Sequence, residues 1–192
     1  SSTMDLDFLS FDESNLEVQL QKTSNDTYLK LFNFESPLFG EDGSSNVSTL
    51  NSFINFTANS DDLDFNATVQ VYEKLDSGNS DRYEFIYPNI SFTRDFNNAF
   101  GKFGDLTFTS NIFQKQFETN KYQQSIVNEF RYDSNEQFSD TGLLTNYVLS
   151  LKNPNVRNKT GSENNSQSTS QLLSQLLYNI SYPLKKQDEL SY

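Results

Sequence analysis

The 192-residue chain contains neither cysteine nor histidine. Without cysteine, this stretch can form no disulfide, no thiolate nucleophile and no cysteine-based zinc site. Without histidine, it lacks the general base of a Ser-His-Asp arrangement and the commonest ligand of transition metals. The remaining residues offer no assignable nucleophile, metal set or acid–base pair. We therefore expect no enzymatic activity, no catalytic residue, no metal ligand and no cofactor.

Long apolar runs and basic clusters are also missing. No stretch approaches the roughly 18 apolar residues of a membrane-spanning helix, although a strand of a membrane barrel needs only about 9–11 alternating residues. The net charge is −12, and no basic patch accompanies the aromatic residues. Since phosphate binding needs clustered Lys and Arg, we expect no nucleic-acid partner. The opening SSTMDLDFLSF has neither the basic start nor the apolar core of a signal peptide.

Aromatic residues are plentiful, with 18 Phe and 10 Tyr, so the low hydrophobic content of 34% does not indicate disorder. The segment DLDFNATVQVYEKL (Asp62–Leu75) shows how they are arranged. Its apolar side chains fall on every second residue: Leu63, Phe65, Ala67, Val69 and Val71. Its polar side chains fall between them: Asp64, Asn66, Thr68, Gln70 and Tyr72. This period is typical of a strand with one apolar and one polar face.

The same pattern recurs along the chain and predicts an all-β, antiparallel, up-and-down meander of about eight long strands, part of a larger barrel. The predicted strands are Leu16–Phe34, Val47–Asn59, Asp62–Leu75, Arg82–Phe96, Asp105–Phe117, Tyr122–Tyr132, Gly142–Lys152 and Gln171–Leu184. Residues 16–184 are thus strand-rich, interrupted by a long polar loop at 153–170. Pro88 lies inside its strand and requires a bulge, since a closed barrel has no edges. The stretch Gln171–Leu177 also fits a short amphipathic helix, but continued alternation to Tyr182 favours a strand.

Strand length favours a membrane barrel over a soluble sheet. Several runs last roughly 11–15 residues, whereas strands of soluble domains average about 5–6. Tyrosines lie toward the ends of the runs, where an interfacial girdle would sit: Tyr72, Tyr83, Tyr87, Tyr122, Tyr132 and Tyr182.

The connections fall into two alternating sets. The set with the two longest members, expected to be extracellular, is Glu35–Asn46, Asp76–Asp81, Glu118–Lys121 and Asn153–Ser170. The other set, expected to be periplasmic, is Ser60–Asp62, Asn97–Gly104 and Asp133–Thr141.

Candidate ligand sites are weak by comparison. The acids Asp61, Asp62 and Asp64, and the group Glu41-Asp42-Gly43, lack the full spacing of a Ca²⁺ loop, so solvated turns are expected. Glu129 and Arg131 share a strand face, and their pairing across a lumen is one hypothesis.

Four stretches, in matching order, resemble the barrel of the LptD family, the OstA-type lipopolysaccharide (LPS) assembly proteins. They are QKTSNDTYLKLF (Gln21–Phe32), INFTANSDDLDFNATVQVYEKL (Ile54–Leu75), DRYEFIYPNISFT (Asp81–Thr93) and NISYPLKKQ (Asn179–Gln187). The last of these looks like a later barrel strand from an alphaproteobacterial-type member. Together the similarity covers most of the chain from Leu16 to Tyr192.

The resemblance implies a role in passing lipopolysaccharide into the outer leaflet of a Gram-negative cell outer membrane. It implies three further partners: outer-membrane lipid, an LptE-like lipoprotein plug, and an LptA-like periplasmic bridge that acts through a domain outside this chain. Residues 1–192 would then be a partial barrel domain cut from an exported precursor, without its periplasmic domain, lateral-gate strands or disulfide cysteines. The resemblance carries over no specific functional residue.

Two other functions are compatible with the residues alone. A soluble, secreted β-rich binding module, such as an adhesin or carbohydrate-binding domain, would share the alternation and the acidity. Another outer-membrane porin or uptake barrel would share the architecture.

Overall fold

The structure is a computed structural model that describes residues 2–5, 11–23, 49–75, 81–97, 101–118, 120–160 and 166–182. Within these ranges one 3₁₀ turn, Gly101–Phe103, accompanies the strands. The strands are β1 Ser2–Asp5, β2 Glu13–Gln19, β3 Thr49–Ser60, β4 Leu63–Lys74, β5 Tyr83–Phe96, β6 Gly104–Phe117, β7 Lys121–Ser134, β8 Gln137–Phe138, β9 Leu144–Lys159, β10 Gln167–Ser170 and β11 Leu173–Ser181. The described residues contain no helix long and apolar enough to cross a membrane.

All the strands belong to one antiparallel sheet in which sequence neighbours pair. The short β8 pairs with β9 on the same side as β7, and β10 and β11 share the opposite edge of β9. The predicted all-β, up-and-down meander is therefore confirmed. The described sheet is open, because β1 pairs only with β2, and β10 and β11 pair only with β9.

Alternate connections lie at the same end of the sheet, as antiparallel pairing requires. We name the two ends after their hairpins. The connections after β4, β6 and β9 share the β9–β10 end, and those after β3, β5 and β7 share the β3–β4 end. This grouping agrees with the two predicted sets where they can be compared, while the predicted connection Glu35–Asn46 lies outside the described residues. Which end is extracellular stays a prediction.

The predicted bulge at Pro88 is confirmed. Tyr87 and Pro88 together lie opposite single residues on both neighbours, Val69 of β4 and Gln114 of β6. The extra residue changes which positions of β5 lie on the face of Val69. Up to the bulge these are the odd-numbered residues Tyr83, Phe85 and Tyr87, and after it they are the even-numbered residues Ile90 and Phe92. The bulge therefore keeps the apolar side chains of both halves on one side of the sheet.

The predicted polar loop at 153–170 is wrong over much of its length. Asn153–Lys159 continues β9, and Gln167–Ser170 forms β10 in register with it. Between β10 and β11 the strand pairing with β9 is interrupted at Gln171–Leu172, opposite Pro154, whose nitrogen has no proton to donate. There the Asn153 side-chain amide donates instead to the Gln171 carbonyl, at 2.7 Å.

Other elements also differ from prediction. Neither β1 nor the short β8, which lies inside the predicted connection Asp133–Thr141, was predicted. The strand β2 begins before Leu16 and ends at Gln19, while residues 24–34 lie outside the described ranges. The strand alternative for Gln171–Leu184 is confirmed over Leu173–Ser181, so the helical alternative is wrong.

The described sheet is a single layer. Substantial packing occurs only between neighbouring strands, and the buried apolar side chains among the described residues are Leu50, Ala58 and Leu75. A soluble two-layer sandwich of this size would enclose a continuous core between its sheets. Neither face of this sheet is covered by other described residues.

Gly104, at the start of β6, has a conformation that only glycine adopts without strain, with φ +151°. A Cβ there would overlap the backbone carbonyl of Asp133 and lie 2.8 Å from Ser134 Cα. Because these neighbours are backbone atoms, Gly104→Ala should destabilise the folded sheet by about 1–3 kcal/mol beyond its backbone strain. Gly101→Ala is the matched control, since a Cβ at Gly101 meets nothing within 4 Å. Urea unfolding of the full-length protein would contradict this account if both variants lost equal stability.

Candidate functional site

The sheet presents two chemically different faces. The apolar face is the one that carries Val69, and the polar face is the one that carries Thr68. Cross-strand pairing places these side chains on the apolar face: Leu16, Val18, Ile54, Phe56, Phe65, Val69, Phe85, Phe92, Leu106, Phe108, Ile112, Ile126, Phe130, Leu149, Leu151, Leu176, Tyr178 and Ile180. The predicted division of β4 is confirmed: every second residue from Leu63 to Val71 lies on the apolar face, and every second residue from Asp64 to Tyr72 lies on the polar face.

Aromatic contacts follow the apolar face from strand to strand. Ring centroids lie 6.0 Å apart for Phe92 and Phe108, and 4.6 Å apart for Phe108 and Phe130. These side chains nevertheless stay open on their outer side, with Val69, Phe130 and Leu149 each 47% exposed. The face is internally packed but uncovered by the rest of the described chain.

The apolar band crosses the strands obliquely. It is centred on Val18 in β2, and the residue in register with Val18 at the far edge is Ser168 of β10. The apolar residues of that edge are instead centred on Tyr178 of β11, on the same face. The displacement is about 10 residues over seven strand-to-strand steps, or nearly 5 Å per step, close to the spacing between strands. A straight band therefore lies at about 45° to the strands.

The polar face is linked by hydrogen bonds between strands. The Thr68 hydroxyl donates to Asn55 Oδ1 at 2.7 Å, and the Gln70 amide donates to Asn51 Oδ1 at 2.8 Å. Lys115 Nζ lies 2.7 Å from a Glu84 carboxylate oxygen. These amides, hydroxyls and paired charges suit contact with water or sugars rather than with hydrocarbon.

Glu129 and Arg131 share the polar face, as predicted, but they do not pair with each other. Glu129 accepts from Lys152 at 3.2 Å and from Ser150 at 2.9 Å. Arg131 instead donates to Asp133 at 2.7 Å. Each charge is satisfied by its own strand or by the next one, so Glu129 and Arg131 do not pair with each other, and pairing of either residue across a lumen stays a prediction.

The predicted tyrosine girdle is only partly reproduced on the apolar face. Tyr83, Tyr122 and Tyr132 lie near strand ends on this face. Tyr72 lies on the polar face, and Tyr87 lies within β5, where its hydroxyl donates to Gln116 at 2.7 Å. Tyr182 follows the last residue of β11. Tyr147 and Tyr178 also lie on the apolar face, opposite each other on β9 and β11.

The acids considered for Ca²⁺ do not converge. Asp61 and Asp62 form the β3–β4 turn, Asp64 is exposed on β4, and Glu41-Asp42-Gly43 lies outside the described residues. No group of three His, Cys, Asp or Glu side chains is placed to hold a metal ion within the parts of the chain that are described.

Glu73 is the one acid on the apolar face of the described strands, at the β9–β10 end. Its side chain is buried and accepts from Arg82 Nε at 2.7 Å and from the Tyr83 hydroxyl at 3.1 Å. The Arg82–Glu73–Tyr83 cluster neutralises this carboxylate where β4 ends and β5 begins.

Comparison with protein-family models gives no match, and comparison with curated proteins gives none either.

Replacing the Glu73 carboxylate tests whether this cluster holds the end of the sheet. Glu73→Gln should lower the free energy of unfolding by about 1–3 kcal/mol, because it removes a charge-assisted acceptor from two donors. Asp64→Asn is the control, since Asp64 is an exposed acid on the same strand. Equal urea midpoints for Glu73→Gln and the unmodified full-length protein would refute a stabilising role.

Proposed function

We propose that the chain forms part of the wall of an outer-membrane β-barrel of the LptD type, through which lipopolysaccharide reaches the outer leaflet. The observation that carries the membrane placement is the oblique apolar band on a single, uncovered sheet. Strands of transmembrane barrels are tilted by about 35–45°, so a level lipid-facing band must cross them at that angle. The band of this sheet does so at about 45°.

The distribution of acidic residues supports the same placement. The chain carries a net charge of −12, yet Glu73 is the only acid on the apolar face of the described strands, and it is paired. Of the cations on this face, Arg94 lies opposite Phe108 and pairs with Asp62 at 3.5 Å, and Arg157 and Lys159 lie beyond Leu151. A polar face rich in amide and hydroxyl groups would then line a hydrated lumen.

The β9–β10 end fits the extracellular side. On the apolar face of β9, the apolar side chains stop at Leu151, and the strand continues for eight residues to Lys159 with polar side chains on this face. Extensions and long connections beyond the band are typical of the extracellular side of such barrels, whereas periplasmic turns are short.

The choice of lipopolysaccharide rests on the sequence resemblance to the LptD family. A hydrated lumen suits the sugars of this lipid, and its acyl chains need an apolar exit. The partners that follow are lipopolysaccharide, an LptE-like plug inside the barrel, an LptA-like periplasmic bridge and outer-membrane lipid. In this role the chain performs no covalent chemistry.

Labels on adjacent residues would distinguish a lipid-facing surface from a covered soluble core. Val69 and Thr68 are neighbours on β4 that point to opposite faces. In reconstituted full-length protein, a nitroxide at Val69 should be accessible to oxygen dissolved in lipid. A nitroxide at Thr68 should instead be accessible to a water-soluble nickel reagent. The reverse pattern would overturn the assignment of the two faces.

Substitutions on the two faces of β4 should have unequal effects in cells that depend on the full-length protein. Val69→Lys should reduce the level of assembled barrel, because a lipid-facing lysine costs about 2–4 kcal/mol. Gln70→Ala should leave both barrel level and surface lipopolysaccharide nearly normal, since a passive lumen tolerates single changes. If Gln70→Ala abolished transport at normal barrel level, a specific lumen site would have to exist.

A further inference from the structure

A cleft of about 340 Å³ opens at the β9–β10 end of the sheet, where β5, β6, β7 and β9 reach the same level. Its lining combines aromatic, amide and ammonium groups with one carboxylate, that of Glu118, which pairs with Lys121. The lining residues used below are Tyr83, Phe85, Gln116, Lys121, Tyr122 and Lys159. Gln116 accepts from the Tyr87 hydroxyl through Oε1, which leaves its amide nitrogen as a donor.

Positive charge accumulates beside this cleft in a chain that is otherwise acidic. Lys159 lines the cleft, and the Arg157 guanidinium lies 5.5 Å from the centre of the Tyr122 ring. Across the described ranges, neither cation has a carboxylate within ion-pair distance. Lys121 differs, because it pairs with Glu118 of the β6–β7 turn and so lowers the pKa of that carboxyl. Two cations therefore stay available to a ligand.

The height of these cations matches the headgroup region of a bilayer. Arg157 and Lys159 lie on the apolar face, and Leu149 is the middle of the apolar residues on the same strand. At a tilt of about 45°, the rise along β9 places the two cations about 19 and 23 Å from the midplane of the band. A bilayer including its headgroups is about 40–45 Å thick, so its phosphates lie close to this level.

We propose that this cleft binds the phosphate of a membrane lipid whose headgroup carries a net negative charge and which lies in the bilayer around the barrel. Arg157, Lys159 and the Gln116 amide donate to the phosphate, and the aromatic rings of Phe85 and Tyr83 contact the upper part of an acyl chain. The inference rests on the proposed membrane placement and adds an outer-surface lipid site, separate from any lumen route. A phosphate held between two cations and the membrane surface would fix the β9–β10 hairpin against the bilayer.

Site-directed cross-linking tests this proposal in the full-length protein. A photoreactive benzoylphenylalanine replaces Phe85, and the protein is reconstituted in vesicles of equal parts phosphatidylglycerol and phosphatidylcholine. One lipid at a time carries a radiolabelled acyl chain. We expect more adduct with phosphatidylglycerol, and about a five-fold drop in that preference for each of Arg157→Gln and Lys159→Gln. Lys152→Gln, on the opposite face of β9, is the control and should keep the preference.

The outcomes separate this inference from the proposed function. Equal adducts with both lipids in the unmodified protein, or an unchanged preference in the Arg157→Gln and Lys159→Gln variants, would overturn the headgroup site alone. Absence of any lipid adduct would overturn the membrane placement as well. Inorganic phosphate added at millimolar concentration should not compete; full competition would mean that the cleft binds free phosphate instead. The conservative variant Lys159→Arg should retain the preference, which separates loss of charge from misfolding.

Discussion

The register between neighbouring strands is the constraint on which this structure depends. In the described residues no second layer packs on the sheet, so each strand is held only by the strands that pair with it. Because side chains alternate with a period of two, a slip of one residue would move every apolar side chain of a strand to the opposite face. Cross-strand pairs such as Phe108–Phe130 on one face and Asn55–Thr68 on the other oppose such a slip.

Register also reconciles the acidity of the chain with an apolar surface. The ion pairs of Glu84 and Glu129 lie on the polar face, and the Asp61–Asp62 turn lies at an end of the sheet. The apolar face keeps its single described acid at a margin, in contact with Arg82. The hydrophobic content of 34% is an average over both faces, which is why a chain of this composition can present an apolar band on one of them.

The sequence was sufficient for features that depend on local periodicity or on one unusual residue. The alternation from Leu63 to Val71 predicted both faces of β4, and Pro88 inside a strand demanded the bulge that is observed. The prediction failed at Asn153–Lys159, where polar side chains continue past the apolar band and were interpreted as a loop. The oblique band and the cleft beside Lys159 could not be predicted, because both require knowing which residues lie opposite each other across several strands.

The bulge has a consequence for how the length of β5 can vary. Between Phe85 and Phe92, β5 spans one residue more than β4 does between the partners Val71 and Phe65, and one more than β6 does between Gln116 and Ser110. Loss of one residue at Pro88 would leave both halves of β5 facing as they do now. A single-residue deletion in the middle of β4 or β6 would reverse one half of that strand. Among related sequences, length changes inside these strands should therefore concentrate at this bulge.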